Sequence, residues 1–442
     1  MINSILKTLN IDKKVAIFLS SKLFSYISYP ITLGLIVNFL NPIEQGYYYT
    51  FLTLLSFSMF LELGLGIILT NFASHEFANL RWKNNNLDGD KVAIKRSFML
   101  IKKTVLWFSF VALLFFFSML GIGAYFFLES DSTNYYLTWV YFIAVFSPGL
   151  IISPLLSILQ GFDRIKEVQS VIFFQVFFSI IAFWICLFMD FNIYALIVQF
   201  AVQNLISFLY LFFKYRKLVF LSLIESNKLF SWKDEVLPLQ LKTGFTWLVS
   251  YLGINLLIPF SFKIFGPEVA GQLGMSFKIA EITSIICLAW TNTRVPKMGS
   301  IIASKNRNQF HYLFGSTLKS ILLIGGISII GIYLLLFILD MYSYNLFLDR
   351  ILNIKFILML MIGYYMFAIS NYFAMTIRSF KDEKMIFPNF IALLVYSAAI
   401  YLSFSFNSYT SLILSFVIVN VFILLPFSIF FISKILQETN WD

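Results

Sequence analysis

Residues 47–76 read YYYTFLTLLSFSMFLELGLGIILTNFASHE, and the fold class follows from this stretch. Three tyrosines open it, a long and mostly apolar run follows, and His75-Glu76 closes it. Aromatic and charged ends of this kind mark two membrane–water interfaces. At about 1.5 Å per residue such a run crosses a hydrocarbon core of about 30 Å, so the pattern predicts a transmembrane span. Within it lie Glu62, Gly64 and Gly66. A carboxylate at that depth is costly and points to function. Small residues beside it let another helix, or a ligand, approach the backbone closely. The stretch therefore reads as one wall of a pathway.

The rest of the chain agrees with a membrane reading. Of 442 residues, 60% are hydrophobic and only 12% charged, with a mean hydropathy of +0.84. That length holds about twelve spans of 20–25 residues with short loops and leaves no room for a separate soluble domain. The net charge of +10 has no basic stripe interleaved with stacking aromatics, so no nucleic-acid partner is expected. Cys186 and Cys287 both sit inside apolar runs, which argues against a disulfide framework. There is no phosphate-binding glycine loop and hence no nucleotide motor. His75 and His311 stand far apart without metal-ligand spacing, so neither a metal nor another cofactor is expected. The first apolar run is longer than a signal-peptide core and lacks a cleavage site, which reads as a retained first span.

Spans are expected at about residues 15–39, 47–76, 105–128, 136–159, 170–189, 193–213, 244–265, 272–293, 317–339, 355–377, 387–406 and 412–432. The expected class is an all-α integral membrane protein with two six-helix lobes, residues 1–213 and 244–442, joined by a cytoplasmic linker at 214–243. Within that linker Leu218 to Ile224 is apolar enough to lie flat on the membrane surface. Of the 32 basic residues, 27 fall in segments on one face or, as Lys319, just inside the span beside one, and Arg350 and Lys355 border the other face. Positively charged loops stay inside, which puts both termini in the cytoplasm. Pro42 and Gly46 recur as Pro267 and Gly271, at the same offset of 225 positions. Either chance or an internal repeat accounts for this match. A repeat of two six-span halves that both start inside implies a pseudo-twofold axis along the membrane normal.

Few side chains in the spans carry chemistry. Lys22, Ser25, Tyr26, Tyr29 and Thr32 share one helical face. Lys22 lies about seven residues from the inner end, and either lines a cavity or snorkels to the interface. Glu62 is too short to snorkel from about ten residues in, which favours an ion-paired or functional role. Lys278 and Glu281 are three apart on one face of their helix, either as a cavity pair or as a self-neutralising one. Lys263 and Arg294 lie at span ends, where snorkelling is the plainer reading. Gln175, Gln199, Gln203, Asn255, Asn371 and Asn420 are amides within spans, a type that mostly bonds a neighbouring helix. Pro30 and Pro259 each remove one backbone hydrogen bond and are hinge candidates.

Two halves of six spans, the run Phe60-Leu61-Glu62-Leu63-Gly64-Leu65-Gly66 ending at Phe72-Ala73-Ser74-His75-Glu76, and the Asn41-Pro42-x-x-x-Gly46 turn resemble bacterial polysaccharide (O-antigen repeat-unit) flippases. These belong to the multidrug/oligosaccharidyl-lipid/polysaccharide (MOP) exporter superfamily. The resemblance implies a MATE-like fold that moves an undecaprenyl-diphosphate-linked oligosaccharide from the cytoplasmic to the periplasmic leaflet by alternating access. An ion gradient would drive it, and no enzymatic step is needed. It also implies a cavity lined by spans 1, 2, 7 and 8. That cavity would hold Lys22, Tyr26, Tyr29, Glu62, Asn255, Lys263, Lys278, Glu281 and Arg294, with Glu62 and Glu281 as coupling-ion groups. Some relatives carry several arginines there; in this chain lysines serve. The bacterial inner membrane is the implied location. Lipid-linked oligosaccharide, membrane lipids and other polysaccharide-assembly membrane proteins are the implied partners. A drug/cation antiporter of the same superfamily is the alternative, and it would favour anionic cavity residues. A membrane-embedded glycan polymerase or glycosyltransferase would need a larger outer loop than residues 340–354 provide.

Overall fold

The computed structural model describes residues 13–62, 65–83, 85–128, 133–225, 230–380 and 382–439. Helices dominate. The first half runs α1 (Lys13–Phe39), α2 (Pro42–Leu55), α3 (Ser58–Glu62), α4 (Leu65–Phe77), a hairpin β1 (Leu80–Lys83) and β2 (Asn86–Gly89), α5 (Lys91–Phe127), α6 (Thr133–Phe146), α7 (Gly149–Leu159), α8 (Ile165–Phe188) and α9 (Tyr194–Ile224). The second half runs α10 (Leu237–Phe265), α11 (Pro267–Ala303), α12 (Arg307–Met341), α13 (Asn345–Leu348), α14 (Ile354–Ser379), α15 (Ile386–Phe406), α16 (Thr410–Ile418) and α17 (Leu425–Glu438).

Among the described residues eight helical stretches are long and apolar enough to cross a membrane. One of them, Asn134–Phe188, is 55 residues long and holds two spans that meet at a wide turn, Gln160–Arg164. The outward faces of these helices are apolar: Phe110, Leu113 and Phe117 on α5 and Leu323, Ile327 and Ile330 on α12 are all exposed. In a bilayer such a face meets acyl chains, while every backbone bond is satisfied within the helix.

The chain packs as two units. One comprises Met1–Asn41 with Leu55–Trp247, the other Pro42–Leu54 with Leu248–Asp442. In the first, α8 packs on α9 and on α1, and α5 packs on α7 and α9. In the second, α11 packs on α14 and α12, and α14 on α17. Helix starts follow local chemistry. Asp90 caps α5 by accepting from Ala93 N at 2.9 Å, and Asn306 caps α12 by accepting from Gln309 N at 3.1 Å. Pro42 and Pro267 each open a helix, where the missing N–H costs nothing.

Four local expectations change. Residues 47–76 are not one helix: a turn at Ser56-Phe57 separates α2 from α3, while Leu63 and Gly64, between α3 and α4, lie outside the described residues. Pro42–Gly46 is the first turn of α2 rather than a loop, because a proline fits the first helical position. Leu218 to Ile224 continues α9, whose 31 residues run on past the expected span end, instead of forming a separate surface segment. The basic loop 73–104 contains the hairpin, with Leu80 opposite Gly89 and Lys83 opposite Asn86. Asn85 at its tip takes the left-handed conformation (φ 59°) that asparagine tolerates.

Candidate functional site

In the first unit the most exceptional side chain is Glu62. It lies half-buried in α3, next to Leu63 and Gly64, which fall outside the described residues. Among the described residues none forms an ion pair or hydrogen bond with the Glu62 carboxylate. Lys22 and Tyr26 lie on α1, but their side chains fall outside the described residues. Tyr29 is half-buried and Pro30 exposed, and α1 runs through the proline unbroken. Thr32, expected on the same polar face, accepts a hydrogen bond from Trp184 Nε1 of α8 at 2.9 Å and donates to Ser28 O at 2.8 Å. Part of that face is thus spent on helix packing. Gln175 of α8 likewise bonds Ser207 and the Gln203 carbonyl of α9.

In the second unit, Lys278 Nζ and Glu281 Oε2 of α11 are 2.8 Å apart, as their i, i+3 spacing predicts. Their side chains remain 37% and 32% exposed, whereas Ala280 and Thr283 beside them are fully buried. The charged pair therefore occupies the edge of the packed unit, not its core. Ser284 Oγ donates to Glu281 O at 2.9 Å. Asn255, Lys263 and Arg294 are half-buried, and Pro259 is buried within α10. Of the nine cavity residues, Lys22, Tyr26, Tyr29 and Glu62 fall in the first unit and the other five in the second.

Two clusters escape sequence reading. The first surrounds Gln45, buried at the start of α2. Its Nε2 donates to Gly271 O at 3.0 Å and to Arg350 O at 2.9 Å. Nearby, Leu352 N donates to Ser276 Oγ at 2.8 Å, and Gln272 Nε2 to Asp349 O at 3.0 Å. The two recurring glycines meet here. A Cβ on Gly46 would lie 2.0 Å from Pro267 O, and one on Gly271 would lie 2.9 Å from Gly46 N. The start of α2 thus packs on the start of α11 at backbone distance. The Pro-x-x-x-Gly match was the available signal, though it does not say that its two copies touch.

The second cluster is Glu167, at the start of α8. It accepts from Arg164 Nη1 and Lys214 Nζ at 2.7 Å each, from Tyr215 at 2.9 Å and from Tyr210 at 3.0 Å. Burial alone would raise its carboxyl. The hydrogen bonds from Lys214, Tyr215 and Tyr210, with the Lys214 charge, outweigh that and leave it below its ordinary value. Arg164 also covers the Trp82 ring at 4.5 Å, and Trp82 Nε1 donates to Phe162 O at 2.7 Å. This network ties the hairpin to the turn at 160–164. At that turn a Cβ on Gly161 would come within 2.4 Å of Thr70 O.

Solved structures settle the architecture. An inward-facing multidrug resistance MATE family transporter of the MOP superfamily superposes with a TM-score of 0.65 at 13% identity, covering 94% of this chain and 96% of the other. The chain has the MATE fold. An outward-facing transporter of that family gives 0.57 at 15% identity, covering 97% and 98%. A MOP superfamily transporter from Pyrococcus furiosus, described as having a binding pocket of reverse polarity that suggests a different function, gives 0.58 at 12% identity, covering 97% of each chain. No family model matches the sequence, and no curated protein is significantly similar to it. The expected all-α, MATE-like class holds, with the hairpin as its one departure among the described residues.

Proposed function

We propose that this MATE-fold chain is a transporter that carries an undecaprenyl-diphosphate-linked oligosaccharide from the cytoplasmic to the periplasmic leaflet. The half-exposed Lys278–Glu281 pair carries the reading. An ion pair held at the edge of a packed unit, within a span, is open to an anionic substrate that competes with Glu281 for Lys278. Within the second unit Lys263 and Arg294 add positive charge to the candidate set, against the carboxylate Glu281. That balance suits a diphosphate, which cations bind through charge-assisted hydrogen bonds. It suits a cationic drug poorly. The likeness to a MOP transporter described as having a reversed pocket polarity supports a cargo other than drugs on this fold.

Alternating access needs a group that exchanges a coupling ion. Glu62 fits that role as a carboxylate set within an apolar stretch. An unpaired carboxylate in low dielectric takes up a proton, and a lysine brought beside it holds it ionised. Substrate diphosphate competing for Lys22 would then release Glu62 to bind its proton. The coupling works without covalent chemistry.

Deleting the gene tests the reading. Surface polysaccharide should disappear while the lipid-linked unit is still assembled and accumulates on the cytoplasmic leaflet. Loss of the assembled unit itself would sink the proposal in favour of an enzyme. Intact polysaccharide with new drug sensitivity would favour the antiporter.

A further inference from the structure

The first unit holds a groove of about 500 Å³ that no transport step uses. Its walls are α5, through Met99, Lys103 and Trp107, and the segment leading into α10, through Phe230, Trp232, Lys233 and Leu237. The walls are clamped together. Arg96 of α5 bonds Glu235 Oε2 at 2.7 Å and Glu76 Oε1 at 2.7 Å, and Ser231 N donates to Glu235 Oε1 at 3.0 Å. Lys102 Nζ donates to Glu225 O at 2.7 Å. Both carboxylates are therefore committed to Arg96, whereas among the described residues Lys103 makes no ion pair.

Two indoles pack against each other in the wall of the groove, with Trp107 and Trp232 centroids 5.9 Å apart. Trp232 is only 9% exposed, and among the described residues neither buried indole Nε1 has an acceptor. Two buried indole donors without acceptors require a ligand oxygen or water. The floor, Met99 and Phe230, is apolar and buried. Trp107 stands just inside the start of its span, the depth at which indoles sit among headgroups.

We infer that this groove binds one phospholipid with an anionic headgroup. The indole N–H groups donate to its phosphate or ester oxygens, Lys103 and Lys233 neutralise the headgroup, and the first acyl segment lies on Met99, Phe230 and Leu237. Lysines near the membrane surface attract anionic lipid. An inorganic anion would leave the apolar floor unused, and a zwitterionic lipid would leave the lysines uncompensated. A bound lipid bridges α5 to the segment entering α10 and makes the stability of that junction depend on membrane composition. The site is independent of the proposed cargo.

The test uses the full-length protein in nanodiscs of phosphatidylcholine, titrated with phosphatidylglycerol or phosphatidylcholine brominated in the acyl chains, which quench nearby tryptophan. Brominated phosphatidylglycerol should quench the wild type at lower mole fraction. The additional quenching should vanish in Trp107→Phe/Trp232→Phe. Lys103→Gln/Lys233→Gln should lower the preference for the anionic lipid about tenfold, equivalent to about 1.4 kcal/mol. Lys103→Arg/Lys233→Arg should retain it, separating lost charge from lost folding. Equal quenching by the two lipids overturns the proposal, as does an unchanged preference in the glutamine variant. Displacement by inorganic phosphate at matched ionic strength would show a small-anion site and also overturn it.

Discussion

Replacing Glu167 by Gln removes one charge from the centre of four donors and leaves Arg164 and Lys214 facing an amide. The carboxylate and Arg164 side chains are 27% and 23% exposed and Lys214 is 34% exposed, so the pairs lie between surface and core. Exposed ion pairs contribute roughly 0.2–1 kcal/mol, and breaking a fully buried one costs roughly 3–5 kcal/mol. We therefore expect Glu167→Gln to destabilise the protein by about 2 kcal/mol at neutral pH, measured by unfolding in mixed micelles of graded denaturing-detergent fraction. A cycle with Lys214→Met should show coupling of about 1 kcal/mol, since the two residues share one interaction. The sign with pH follows from the depressed carboxyl. A group whose folded value lies below its unfolded one stabilises fully above the unfolded value, here an ordinary 4.5. The advantage of wild type over Glu167→Gln should hold above about pH 5 and vanish as pH falls through the folded value. Equal stability at pH 7, or a gap that widens in acid, would refute the hub.

Further outcomes concern topology, packing and transport. Reporter fusions after Asn134 and Asn407 should be periplasmic and one after Lys228 cytoplasmic; any reversal breaks the orientation read from the basic loops. Gly46→Ala puts a Cβ 2.0 Å from a backbone oxygen that cannot rotate away, so α2 and α11 must part, at about 1–3 kcal/mol by the same unfolding assay. Gly271→Ala meets Gly46 N at 2.9 Å and should cost less; wild-type stability in both would mean that the contact is loose. Lys22→Ala, Glu62→Gln and Lys278→Ala should each abolish transport with normal membrane insertion, while Lys22→Arg keeps part of it. Normal transport by Lys22→Ala would leave that lysine a mere snorkel.

Hydropathy alone was enough to place the chain in a membrane, because crossing a bilayer depends on runs of neighbouring residues and on nothing distant; against twelve expected spans, eight helical stretches among the described residues are long and apolar enough to cross. Capping and pairing within one helix were equally legible: Lys278 and Glu281 bond as their spacing requires. The hairpin escaped because its strands have four residues each, too few for alternation to stand out. The turn at Ser56-Phe57 escaped because hydropathy is blind to where backbone bonds stop. The partners of Gln45 stand 226 and 305 positions away, and those of Glu167 reach 48 positions along the chain. No local pattern encodes such contacts. They exist because close packing brings the starts of α2 and α11 to backbone distance and gathers four donors on one carboxylate, which only the tertiary structure decides.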